Sequence, residues 1–294
     1  MFVITAPTST IGREVVDTLL DLDVPLRLVV RDAARLAPHV RERVEAVEGS
    51  HGDPDVIDRA CADADAVFWL APGDPAAPSA HAAYVDFTKP ACAAFVRHGV
   101  RRVVGVSALG RGTPMAAHAG PVTASLAMDD LIGASGVPYR AVTCPSFMHN
   151  LLRQVGALKE QGLFFLMADP DLKAPLVAAR DIAATATRLL LDDSWRGAGE
   201  VACLGPEDLS PTEMARTLSD VLGKDIGYRQ IPGAALKERL TGFGASAAMA
   251  QAMADMFDAK NQGLDGAEPR TARSATPTTF RQWCEEVLAP AVRS

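Results

Sequence analysis

Residues 1–16 read MFVITAPTSTIGREVV. The apolar, β-branched run Phe2–Thr5 predicts a strand, and residues 10–22 carry apolar side chains at helical spacing, so a strand passes into a helix through one short turn. A dinucleotide-binding unit opens in this way, usually with three glycines shaping the turn. Here the corresponding positions hold Ala6, Ser9 and Gly12. The stretch therefore predicts the fold while raising a question about what the turn can hold.

Working outward, short apolar runs alternate with amphipathic ones. FVIT (2–5), LRLVV (26–30), VEAVEG (44–49), AVFWLAP (66–72), RRVVGVSA (101–108) and YRAVTCP (139–145) predict strands. Residues 10–22, 53–63, 81–99 and 124–136 predict helices between them, with Asp53-Pro54 as a start signal and Gly99 and Gly136 as stops. Pro90 is expected to kink or split the helix over 81–99. Strands joined by such helices pair in parallel through right-handed crossovers, which gives an α/β, Rossmann-type doubly wound parallel sheet over residues 1–150. Residues 151–294 read as a smaller C-terminal substrate-binding region, in which the helix at 179–193 and strand at 200–205 pack back on the sheet. Ser210-Pro211 with Glu213 spells a capping box, and the Met-rich stretch 242–264 predicts one helix, better read as core filling than as a pocket wall. Ligands of doubly wound sheets bind beyond the carboxyl ends of the strands. The chemistry is thus expected at residues 6–12, 31–35, 70–74, 107–115 and 144–150.

The bulk properties narrow the partners. Of 294 residues, 48% are hydrophobic and 22% charged, which supports a substantial core. A net charge of −7 with no Lys/Arg block argues against nucleic acid or an anionic membrane as the main partner and leaves a small-molecule substrate; it sets no oligomeric state. The five cysteines (Cys61, Cys92, Cys144, Cys203, Cys284) and six histidines are scattered, so neither a disulfide framework nor a metal site is expected. With no leader-like N-terminus and no long apolar run, a soluble cytoplasmic protein is expected.

The motifs VITAPTSTIGR (3–13), LVVRD (28–32), EGSHGDP (48–54), DAVFWLAP (65–72), HGVRRVVGVSALG (98–110), GVPYRAVTCPSFMHNLL (136–152), ARDIA (179–183) and TTFRQW (278–283) together resemble the NmrA-like group of atypical short-chain dehydrogenases/reductases. The resemblance spans nearly the whole chain. It implies the fold above and either an NAD(P)H-dependent reductase of the quinone or isoflavonoid type or a regulator that binds the dinucleotide without turning it over. In that family the turn usually reads T-G-A-T-G-x-x-G. Ala6 adds a Cβ to the turn, Pro7 removes an N–H, and Ser9 places a side chain where a glycine would let the backbone approach the pyrophosphate. The Ser9 hydroxyl can donate to a phosphate oxygen, Gly12 still permits close packing, and the helix N-terminus still favours an anion. Thr8, Ser9, Thr10, Ile11 and Gly12 are therefore the candidate phosphate-binding residues. Arg31 at the end of the second strand suits the 2′-phosphate of NADP, with Arg13 and Arg35 as further candidates for the same pocket. The resemblance places Asp53 at the adenine and Ala71-Pro72 at the nicotinamide ribose.

The proton donor is the second departure. The Y-x-x-x-K of typical short-chain dehydrogenases is absent, and Ser125, in TASLAMDD (123–130), stands where NmrA-like reductases often carry lysine or histidine. His118, Ser107, Tyr84 and Ser125 are the candidate catalytic groups, and Phe147, Met148 and His149 the candidate substrate contacts. Against each stands a bland role: a solvated loop histidine, a capping serine, a half-buried tyrosine, a core methionine. Three functions follow from these residues. The first is an NADPH-dependent reductase of a small apolar or aromatic carbonyl, quinone or enone. The second is a redox-neutral cyclase, dehydratase or isomerase that has lost cofactor use. The third is an NADP-sensing regulator.

Overall fold

The structure, a computed structural model, describes residues 1–294. Six strands follow in chain order: β1 (Phe2–Thr5), β2 (Leu26–Val30), β3 (Glu45–Glu48), β4 (Ala66–Trp69), β5 (Arg102–Ala108) and β6 (Tyr139–Cys144). With the strand Ala198–Ala202 they form one seven-stranded sheet in the order Ala198–Ala202, β6, β5, β4, β1, β2, β3. Every pairing is parallel: Ile4, for example, lies opposite Leu28 on one side and Phe68 on the other. The order reverses between β1 and β4, so the crevice of a doubly wound sheet opens there. All four residues of β4 are buried, as both-face coverage requires.

The two faces have separate cores. On one, Ile4, Leu28 and Phe68 pack against Val15, Val16 and Leu19 of α1 (Thr10–Asp21) and Ile182 and Leu189 of the helix Ala179–Leu191. On the other, Val3, Trp69 and Val103 meet Ile57, Phe95, Met128 and Ile132 from the helices Pro54–Cys61, Phe87–Arg97 and Pro121–Ala134. A third core, with Met148, Phe164, Leu218, Phe280 and Trp283, belongs to the C-terminal part, which adds a three-stranded and a two-stranded sheet.

Several elements differ from the sequence expectation, each for a local reason. The strand predicted over 66–72 ends at Trp69, because beyond it the Leu70 backbone bonds to side chains instead of a neighbouring strand. Pro90 does not split its helix; the wide turn Ala82–Asp86 directly precedes the regular helix Phe87–Arg97, and this turn contains the carbonyl of Asp86 that the proline ring would otherwise strike. The helix expected from 124 starts at Pro121, after Gly120 with φ +52°. The strand expected at 200–205 lies at Ala198–Ala202. The Met-rich stretch is not one helix. Gly244, at φ +90°, breaks it between Gly233–Gly242 and Ala247–Asn261, the latter capped by Ser246. The capping box at Ser210 is formed as expected.

Gly105 in β5 shows how tightly the second face is packed, since a Cβ there would overlap the hydroxyl of Tyr139 on β6. Gly105→Ala is expected to destabilise the fold by roughly 2 kcal/mol, and adding Tyr139→Phe should recover part of the loss; urea denaturation of the single and double variants checks both.

Candidate functional site

The turn between β1 and α1 is held by its own backbone. Ala6 adopts the left-handed region at φ +47°, the conformation a glycine would supply without strain. Its carbonyl accepts the Ser9 N–H at 3.0 Å, and a Cβ on Gly12 would overlap that same carbonyl oxygen. Ser9 is the N-cap of α1, its Oγ accepting the Gly12 N–H at 3.0 Å. The cap uses the oxygen as acceptor and leaves the hydroxyl proton free to donate. The N–H groups of Thr8, Thr10 and Ile11 find no acceptor within the chain. Together with the positive end of α1 they make a site that suits a pyrophosphate. Arg13 folds back instead, donating to the Thr8 carbonyl at 3.2 Å.

The floor of the crevice is a clamp on Leu70. The Thr5 hydroxyl donates to the Phe68 carbonyl and accepts the Leu70 N–H, both at 2.9 Å. From the other side His51 Nε2–H donates to the Leu70 carbonyl at 3.0 Å. His51 is buried edge-on between Trp69 and Phe87. Burial, with a smaller push from the Arg31 charge, lowers its pKa from 6.5 to about 4, so it is a neutral donor. Nothing in the sequence reading marked His51; the pattern Ser-His-Gly-Asp-Pro after the third strand was the only available signal. Arg31 and Arg35 are exposed, and Arg31 stands at the end of β2 beside this floor. Asp53 caps the helix Pro54–Cys61, its Oδ1 accepting the Asp55 and Val56 N–H groups, while the residue stays exposed. Ala71 and Pro72 lead out of the clamp, and the Tyr84 hydroxyl reaches the following residue, 2.9 Å from where a Cβ of Gly73 would stand.

Ser107 and Ser125 are brought together, and two further groups join them. The two hydroxyls are 3.1 Å apart. Ser107 also donates to Asp129 Oδ2, and the Tyr139 hydroxyl donates to Asp129 Oδ1 at 2.6 Å. Asp129 lies one helical turn beyond Ser125 and is 5% exposed. Burial raises its pKa from 3.8 to about 7, against the pull of the Ser107 and Tyr139 hydrogen bonds and of Arg111, whose Nη2 is 3.9 Å away. Desolvation therefore wins over three favourable contacts. Burial, and then the neighbouring Asp129 carboxyl, hold Tyr139 in its protonated form, well above the usual range. Sequence reasoning missed Asp129 and Tyr139, although the Ser-x-x-x-Asp spacing places Ser125 and Asp129 on one helix face.

Other expected site residues are placed elsewhere. His118 is exposed on the turn Pro114–His118 and lines a cavity of about 760 Å³ with His81, Thr123, Asp255 and Gln262. This cavity borders Ala124 and Ala127, on the face of the helix Pro121–Ala134 opposite to Ser125 and Asp129, so His118 does not join the serines. Met148 is buried in the C-terminal core. Phe147 packs against the first core. His149 Nδ1 accepts the Ala179 N–H at 3.4 Å while its ring lies edge-on to Trp283; it anchors the start of a helix.

Comparison with known proteins agrees with this geometry. Residues 8–193 match the model of a family described as NAD(P)H-binding. The chain is 30% identical over 291 residues to a (4-alkanoyl-5-oxo-2,5-dihydrofuran-3-yl)methyl phosphate reductase of Streptomyces griseus, covering 97% of each. It is 29% identical over 260 residues to an NAD(P)H azoreductase of Xenophilus azovorans, covering 87% of this chain and 86% of the relative. An NADPH-dependent quinone oxidoreductase of Escherichia coli, solved with NADPH, has the same fold at a TM-score of 0.76 and 20% identity, covering all of this chain and 99% of that one.

Two outcomes are expected from the crevice geometry. Ala6→Gly should stabilise the protein by about 0.5–1 kcal/mol, the left-handed strain relieved minus the extra unfolded-chain entropy, measurable by urea denaturation. A histidine with a depressed pKa contributes stability that is present above 6.5 and lost as pH falls towards about 4. Stability should therefore drop by about 2 kcal/mol between pH 7 and pH 5 through His51. In His51→Gln that part of the slope should vanish in thermal unfolding, whatever the variant's stability at pH 7.

Proposed function

This chain belongs to the NAD(P)H-binding family, and from that premise we propose that it is an NADPH-dependent reductase of a small apolar or aromatic carbonyl, quinone or enone. The observation that carries the proposal is the set of unpartnered donors at the crevice: the Thr8, Thr10 and Ile11 N–H groups at the head of α1, with the exposed Arg31 at the end of β2. Two of the three usual glycines are missing, but the anion-facing donors are not. That favours cofactor use over a redox-neutral enzyme on the same fold. The names of the two relatives, a reductase and an azoreductase, lend support to reductive chemistry.

The residues divide the work as follows. Thr8, Ser9, Thr10 and Ile11 receive the pyrophosphate, and Gly12 keeps the helix close enough for them to do so. The Arg31 guanidinium pairs with a 2′-phosphate, which gives preference for NADPH over NADH. The Thr5–Leu70–His51 clamp holds Ala71 and Pro72 beside the ribose, and because His51 is neutral it adds no charge there. When bound, the dinucleotide supplies the hydride. Ser107, at the carboxyl end of β5, and Ser125, beside it on the helix Pro121–Ala134, hydrogen-bond the acceptor oxygen and orient it. Tyr84, whose pKa burial raises, lies at the opposite lip beside Gly73 and serves as a neutral donor or contact.

Calorimetric titration with each dinucleotide tests this. Micromolar binding of NADPH is expected, with NADH much weaker. Arg31→Ala should weaken NADPH by about tenfold, roughly 1.4 kcal/mol, and leave NADH unchanged. Absence of binding by either dinucleotide at millimolar concentration overturns the proposal.

A further inference from the structure

A reductase of carbonyls needs a proton as well as a hydride, and serine hydroxyls do not release protons near neutral pH unaided. We infer that the buried Asp129 carboxyl, acting through Ser107, is the proton source for the acceptor reduced at this site. The inference rests on the reductase reading above and extends it to a residue that touches neither cofactor nor substrate.

The geometry gives the network two proton arrangements, both fully hydrogen-bonded. With Asp129 ionised, Ser107 and Tyr139 donate to its two oxygens, and the Ser107 proton is pinned towards the carboxylate. With Asp129 protonated, the acid donates to Ser107 Oγ, while Tyr139 still donates to Oδ1. The Ser107 proton is then released towards Ser125, 3.1 Å away, or towards a bound carbonyl oxygen. Only the second arrangement lets Ser107 donate to the acceptor with a further proton behind it on Asp129. The raised proton affinity of Asp129 keeps this arrangement populated at neutral pH.

The step balances simply. As hydride forms the new C–H bond and the carbonyl π bond breaks, Ser107 gives its proton to the nascent alkoxide and takes the proton of Asp129. Asp129 is left as a carboxylate and is reprotonated from solvent. Arg111, whose Nη2 is 3.9 Å from Asp129 Oδ2, also lines a cavity of about 60 Å³ with Leu109, Gly110, Thr143 and Glu200, room enough for a water. The charged and titratable groups around Asp129 come from every neighbouring element. Tyr139 is on β6, Arg111 on the loop after β5 and Glu200 on the strand Ala198–Ala202. Asp130 is on the same helix and is paired with Arg111 at 2.9 Å. Cys92, a protonated thiol on the helix Phe87–Arg97, faces the Tyr139 side. Arg111 is tied to Asp130 and Glu200 and so only partly offsets the desolvation of Asp129.

The test uses the full chain with NADPH and 4-nitrobenzaldehyde, whose alkoxide product requires a proton. Wild-type kcat is expected to be high at low pH and to fall as pH rises through about 7. Asp129→Asn is close in shape and can still bond Ser107 and Tyr139. It should lower kcat by about 10- to 100-fold and abolish the pH dependence, with KM and the calorimetric NADPH affinity kept. A second readout needs no turnover: the infrared spectrum of the free protein at pH 6 should contain a protonated-carboxyl band that is absent from Asp129→Asn and lost from wild type at pH 8. An Asp129→Asn enzyme with the wild-type pH profile, or wild type without that band, overturns the inference and leaves the reductase reading standing. A wild type that reduces neither this aldehyde nor 1,4-naphthoquinone overturns the reductase reading and the inference with it.

Discussion

The approach of Gly12 to the carbonyl of Ala6 is the contact on which the rest of the crevice depends. No side chain fits between them, because even a Cβ would overlap the oxygen. The chain can therefore leave the middle of the sheet and enter α1 directly, which puts the helix against β1 and β2 and beside the helix Ala179–Leu191. It also points the first turn of α1 towards the carboxyl ends of the strands, where unpaired N–H groups serve a ligand rather than costing stability. Of the three usual glycines, only this one is demanded by backbone packing. At position 6 an alanine takes up the left-handed conformation at some strain. At position 9 a serine converts lost space into a helix cap. A fingerprint can thus look eroded in letters while the donor geometry persists.

What was legible in the sequence follows the range of the interactions. Strand order and helix positions come from local periodicity, and β1 to β6 all appear where alternation and β-branching put them. Caps at Asp53 and Ser210 are equally local. Asp53 with Pro54 was legible as a helix start, and its carboxylate caps the helix Pro54–Cys61. Groups whose meaning depends on distant partners were not legible. His51 gains its character from Trp69, Phe87 and Leu70, and Asp129 from Ser107 and Tyr139. The packing of Met148 and the Trp283 contact of His149 were illegible for the same reason, because both depend on residues far away in the chain. The break in the Met-rich stretch was locally encoded, by Gly244 and Ser246, but the run of alanines and methionines outweighed it.

The two ends of the crevice obey one electrostatic rule with opposite chemical results. At the β2 end, desolvation discharges a base and His51 stays neutral beside the charged Arg31. Below Ser107, desolvation discharges an acid, and Asp129 is held near the midpoint of its titration at neutral pH. In both places burial outweighs the contacts that act the other way, the Leu70 hydrogen bond at His51 and the Ser107, Tyr139 and Arg111 contacts at Asp129. Reductases that place a lysine near the acceptor use a cation to make a neighbouring hydroxyl acidic. A buried carboxyl reaches a similar end by a different route, as a neutral acid that can give up its own proton. The absence of lysine at position 125 is consistent with this, since an ammonium group there would pair with Asp129 one turn away and favour its ionised form. Serine at 125 and an acid at 129 are compatible with a proton store. Lysine at 125 and the same acid are not.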